Sequence, residues 1–108
     1  MARRDNGNAV RKQKPSLALA GKRDEVLAIA KRYGAYNVRV FGSVARGEDT
    51  SRSDLDILVD MEDERSIWDL AGLLADLTDA LDCRVQVVES AGLHKLLKDR
   101  ILSEATPL

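Results

Sequence analysis

The sequence predicts an α/β (α+β) domain in which a small, mixed sheet of three to four strands is covered by helices. Three observations carry this expectation. Strand-like and helix-like segments alternate from residue 22 onward, the strand segments are short and rich in branched residues, and each longer helical segment shows an apolar stripe. With 108 residues, 44% of them hydrophobic and 32% charged, the chain has room for one core and little for a second.

Val26, Leu27, Ala30 and Tyr33 recur at helical spacing, and Gly34 follows as a C-terminal cap. Val38, Val40 and Phe41 then form a short strand that Gly42-Ser43 closes. A mostly polar stretch, Val44–Ser53, leads to a second strand at Leu55–Val59 and a solvated acidic loop at Asp60–Glu64. Ile67, Leu70, Leu74, Leu77 and Leu81 make the stripe of a long helix with Ser66 as its N-cap. Trp68 flanks that stripe and is expected in the core. Arg84–Val88 is a third strand, and Leu93, Leu97 and Ile101 mark a last helix. Tyr33 and Tyr36 are expected to pack at the entry to the first strand, Cys83 as a small core or boundary residue, and His94 as a surface histidine near the start of the last helix.

Several classes of function are excluded or demoted. No apolar run approaches the ~20 residues of a membrane span, and the polar, basic start lacks the apolar core of a signal peptide. One cysteine cannot make an internal disulfide, and one cysteine with one histidine cannot make a zinc site. A soluble, cytoplasmic domain is expected. Charge is unevenly placed: residues 1–23 hold seven basic groups and one acid, the rest ten basic groups and seventeen acids. This predicts a basic, flexible arm at 1–21 on a folded domain at 22–108, the arm being either solvated or a contact for RNA, DNA or an acidic partner.

The chemistry concentrates between the first two strands. Alternation along a strand puts Asp54 and Asp56 on one face and Leu55, Ile57 and Val59 on the other, with the two acidic Cα atoms ~7 Å apart. Carboxylates that close repel unless a cation lies between them or one takes a proton. Mg²⁺ suits the pair, because it is commonly held by one or two carboxylates together with phosphate oxygens and water. Gly42-Ser43 opens a short helical turn whose backbone and hydroxyl can receive phosphate oxygens, and Arg46 can turn its guanidinium to the same phosphates. A phosphate cradle facing a divalent-metal site is what phosphoryl or nucleotidyl transfer needs.

Gly42-Ser43, ten residues, then Asp54-Leu55-Asp56 resembles the Gly-Ser-x10-Asp-x-Asp signature of the DNA polymerase β-like nucleotidyltransferase superfamily. Phe41–Gly47, Ser53–Asp60 and the tail from Gly92 to Leu108 are similar to the minimal nucleotidyltransferases, so the resemblance covers about residues 22–108. It implies the polymerase β-like fold, ATP bound with Mg²⁺, and a partnership with a HEPN-domain RNase toxin that such proteins neutralise as antitoxins. Some transfer AMP to the toxin; others act by binding alone. Carried over, Gly42, Ser43 and Ser53 would hold the nucleotide with Arg46, while Asp54 and Asp56 would ligate the metal and serve catalysis. One position departs: where the superfamily carries a third carboxylate on a later strand, Val85-Gln86-Val87-Val88 presents an amide. Asp82 and Glu89 do not replace it, since Glu89 falls on the other strand face and Asp82 precedes the strand. Three functions are therefore carried forward: an adenylyltransferase antitoxin, a binding-only antitoxin, and a nucleic-acid-associated factor using the basic arm.

Overall fold

Branched and aromatic residues at Ala35–Phe41 (β1) and Leu55–Met61 (β2) give two seven-residue strands that pair antiparallel. The computed structural model describes residues 13–108. Two helices, Pro15–Ala20 (α1) and Arg23–Arg32 (α2), precede β1, and a single helical turn, Gly42–Ala45 (α3), follows it. Beyond β2 come Ile67–Leu81 (α4), Val85–Glu89 (β3), a 3-10 turn at Ser90–Gly92, Lys95–Glu104 (α5) and a two-residue strand at Thr106–Pro107 (β4). The sheet order is β3-β2-β1-β4, with β2 parallel to β3 and β1 antiparallel to both neighbours. This is the expected mixed, helix-covered sheet. No helix among the described residues is long and apolar enough to cross a membrane.

The core is built where the periodicities meet. Val26, Ile29 and Ala30 of α2 and Leu73, Leu77 and Leu81 of α4 pack with Val38 and Val40 of β1 and Leu55, Ile57 and Val59 of β2. Ser66 caps α4 as expected: its hydroxyl accepts from the Trp68 amide at 3.1 Å, while Asp69 accepts from the Ser66 amide at 3.0 Å.

Expectations at five residues are corrected. Trp68 is 81% exposed and Ile67 74%, because the buried line of α4 runs Leu73-Leu77-Leu81 with Leu70 beside it, and both residues sit in the turn before that line begins. Leu74 lies one residue, about 100° of helix, off the same line and is also exposed. Tyr36 is exposed beside a β1 irregularity at Asn37, whose φ is 52°, whereas Tyr33 packs on the core and donates its hydroxyl to Asp76 at 2.6 Å. In α5 only Ile101 is buried; Leu97 is half exposed. His94, exposed as expected, is the N-cap of α5, and Cys83 is half-buried against the core.

Part of the segment expected as a flexible arm, 1–21, lies among the described residues. The Pro15–Ala20 segment is helical with Pro15 and Leu19 buried, and Leu19 belongs to the core cluster. Its first turn is capped from afar: Asp49, itself buried, accepts the Ser16 amide at 2.9 Å. Burial pushes the Asp49 carboxyl up, but its hydrogen bonds, led by Ser16, outweigh burial and the net shift is downward. Residues 1–12 of the expected arm lie outside the described residues.

Candidate active site

The central position of β2 assembles the site. Asp56 lies level with Phe41 on one neighbour and Gln86 on the other, so the end of β1, the start of β2 and the start of β3 meet there. Gly42, next after Phe41, has φ 72°, and a Cβ at that position would overlap Asp56 Oδ2 and stand 3.1 Å from Cγ. Glycine is thus required twice, by backbone conformation and by the close approach of a carboxylate. Ser43 sits on the first turn of α3, partly exposed, as the sequence suggests.

Asp54 stands just before β2. Its Oδ1 is buried and without a hydrogen-bond partner, although Arg84 Nε lies 2.9 Å away as an ion pair outside hydrogen-bond alignment. Burial, followed by the charge of Asp54, pushes the Asp56 carboxyl up; Arg46 opposes and Glu104 adds to the rise. A carboxylate oxygen whose one close charged neighbour is the Arg84 ion pair, beside a second carboxylate pushed toward protonation, is a donor set that fits a hard divalent cation. Among the described residues no cluster of three or more His, Cys, Asp or Glu could hold a metal, so such an ion would take oxygens from its phosphate ligand as well. Gln86 is exposed on β3 directly beside Asp56, the place where the resemblance expects a third acid.

Arg46 is not pointing freely outward. Its Nε donates to Glu48 at 2.9 Å, and its Nη1 to Glu104 at 3.3 Å. Glu104, from the end of α5, also accepts the Gly42 amide at 2.9 Å. That hydrogen bond, opposed by burial and helped by Arg46, holds its carboxyl below the usual range. Ser53 turns inward to its own loop: its hydroxyl accepts from the Thr50 amide at 2.9 Å. The sequence had no signal for Glu104, 62 positions from Gly42. Arg84 was not foreseen either: the parallel register Leu55↔Val85 that sets it level with Asp54 joins two distant segments.

A one-turn helix after the first strand, facing two acids at the start of the central strand, defines the class: a nucleotidyltransferase-fold α/β domain. The chain belongs to the nucleotidyltransferase domain family, whose model matches residues 23–108. It is 40% identical over 81 residues to an assigned protein adenylyltransferase of Methanocaldococcus jannaschii, covering 75% of this chain and 87% of that one. It is 36% identical over 76 residues to the protein adenylyltransferase MntA of Thermococcus cleftensis, covering 70% and 77%. A solved structure assigned as a minimal nucleotidyltransferase superposes with a TM-score of 0.79 at 45% identity, over 86% of this chain and 95% of the other. A toxin–antitoxin crystal structure with AMP-PNP matches with a TM-score of 0.68 at 21% identity, over 78% of this chain and 69% of that one, a likeness of fold.

Proposed function

We propose that this chain is an antitoxin of the adenylyltransferase kind: a cytoplasmic protein that binds ATP with Mg²⁺ and transfers AMP to a HEPN-domain RNase toxin. The observation that carries the proposal is the meeting of Gly42, Asp54 and Asp56, where glycine makes room for one carboxylate and the charge of the second pushes that carboxylate toward protonation. Asp54 and Asp56 hold the metal, Gly42 and Ser43 receive phosphate oxygens, Arg46 neutralises phosphate charge, and Ser53 shapes the loop that delivers Asp54. When bound there, Mg²⁺ would supply neutralisation of the phosphate charge. An acceptor hydroxyl oxygen on the partner bonds to the α-phosphorus, the bond from that phosphorus to the pyrophosphate oxygen breaks, pyrophosphate leaves with the electron pair, and the hydroxyl proton passes to water. The curated relatives named as protein adenylyltransferases support this assignment.

The test is mass spectrometry of a co-purified HEPN partner after incubation with ATP and Mg²⁺. Wild type should add one AMP mass, and Asp54→Ala/Asp56→Ala should add none while staying folded. Unchanged ATP affinity in that double variant would refute the metal site. Gln86 favours a second reading, binding-only neutralisation, because an amide beside Asp56 cannot take the acceptor proton. Intact toxin inhibition with no added mass would establish it.

A further inference from the structure

We propose that Glu104 is a positioning residue for the nucleotide phosphates, acting through Arg46 and the Gly42 turn; the inference rests on the nucleotidyltransferase reading above. Two groups converge on it, the Gly42 amide and the Arg46 guanidinium. The carboxylate accepts the Gly42 amide at 2.9 Å, so the end of α5 pins the turn whose φ of 72° brings it against Asp56. The same carboxylate receives Arg46 Nη1 at 3.3 Å, while Glu48 receives Nε at 2.9 Å. A guanidinium is planar, so fixing Nε and Nη1 fixes the plane and the direction of the remaining edge. Arg46 Nη2 makes no hydrogen bond among the described residues and is the edge left for a phosphate oxygen. Two carboxylates thus hold one arginine for a third anion, which is preorganisation of a charge-assisted contact.

Glu104 is itself held in place. The α5 helix runs into β4, whose Pro107 and Thr106 pair with Arg39 and Val40 of β1, and the Leu108 amide donates to the Val38 carbonyl at 2.9 Å. The strand that delivers Gly42 is therefore tied to the segment that delivers Glu104, and their spacing is set by the sheet.

The experiment is calorimetric titration with ATP and Mg²⁺ on wild type, Glu104→Gln, Arg46→Ala and the double variant, with the melting midpoint of each. Glutamine keeps an acceptor for the Gly42 amide and loses the charge that pairs with Arg46, so the fold is expected to persist. Glu104→Gln should weaken binding about 10-fold in the wild-type background and less than about 2-fold in the Arg46→Ala background, a coupling that a merely structural role would not produce. Glu104→Ala should weaken binding further. Additive effects, or Glu104→Gln binding as tightly as wild type or tighter, would overturn the inference alone. A wild type that binds no ATP with Mg²⁺ would overturn the nucleotidyltransferase reading and this inference with it.

Discussion

Gly42→Ala tests the contact on which the site depends. The new Cβ meets two separate costs. At φ 72° an L-residue pays about 1–2 kcal/mol of backbone strain. The Cβ also overlaps Asp56 Oδ2 and lies 3.1 Å from Cγ and 3.4 Å from the Asp56 Cβ, so the carboxylate must turn away while its stem stays with the strand. Gly47 separates the two costs, for it too has φ 72° but a Cβ there meets nothing within 4 Å. Gly47→Ala should lose about 1–2 kcal/mol, roughly 5–15 °C in melting midpoint for a domain of this size, and retain ATP–Mg²⁺ binding. Gly42→Ala should lose at least as much stability and about 100-fold or more in AMP transfer, because a displacement of about 1 Å at a reacting centre costs that much. Melting followed by far-ultraviolet circular dichroism, nucleotide titration and AMP transfer to the partner measure all three. Gly42→Ala with nucleotide binding and transfer within about 2-fold of Gly47→Ala would refute the reasoning.

Asp56→Asn should raise the melting midpoint at neutral pH in the absence of Mg²⁺. Burial and Asp54 raise the Asp56 carboxyl, so the folded chain holds that proton more tightly than the unfolded chain, and stability is lost as pH rises through the raised value. Below the ordinary aspartate range of about 3.9 both states are protonated and the gain should vanish; calorimetry at pH 3 and pH 7 decides, and a lower midpoint at pH 7 would count against the cause given. Gln86→Asp or Gln86→Glu should increase slow AMP transfer, since general-base assistance is worth ~10²–10⁴-fold. Radiolabelled transfer at one pH reads it, and no increase would mean that the position beside Asp56 is not that of the missing acid.

The fold was legible because its information is local. Apolar periodicity placed β2, α2 and α4, and Ser66 announced the start of α4 four residues ahead of the first half-buried leucine, while its partner Asp69 in the capping box was not foreseen. Gly42-Ser43 and Asp54-x-Asp56 were readable as candidates for the same reason, each being a short run of sequence. Pairings that join distant segments were not. Asp49 capping α1 at Ser16 turned what looked like part of a basic arm into a packed helix, and charge counting carries no trace of such a cap. Glu104 reached Gly42 only through the pairing of β4 with β1. Trp68 misled because a large apolar residue flanking a stripe looks like core until the phase of the buried line is known to within one residue.

That exposed indole decides how the protein can be watched. Trp68 is the one tryptophan in the chain and already stands in water in the folded state, 81% exposed on the first turn of α4. Its emission will change little when the chain unfolds, so intrinsic tryptophan fluorescence is a poor thermometer for this domain. Asp56 and Met61 are five residues apart on β2, about 17 Å along the strand, and α4 begins beyond Met61. Nucleotide arriving at the aspartates should therefore leave the indole dark to the event. A blue-shifted emission would instead signal that some other surface has come to lie over α4, which makes the residue a built-in reporter of association with no added dye.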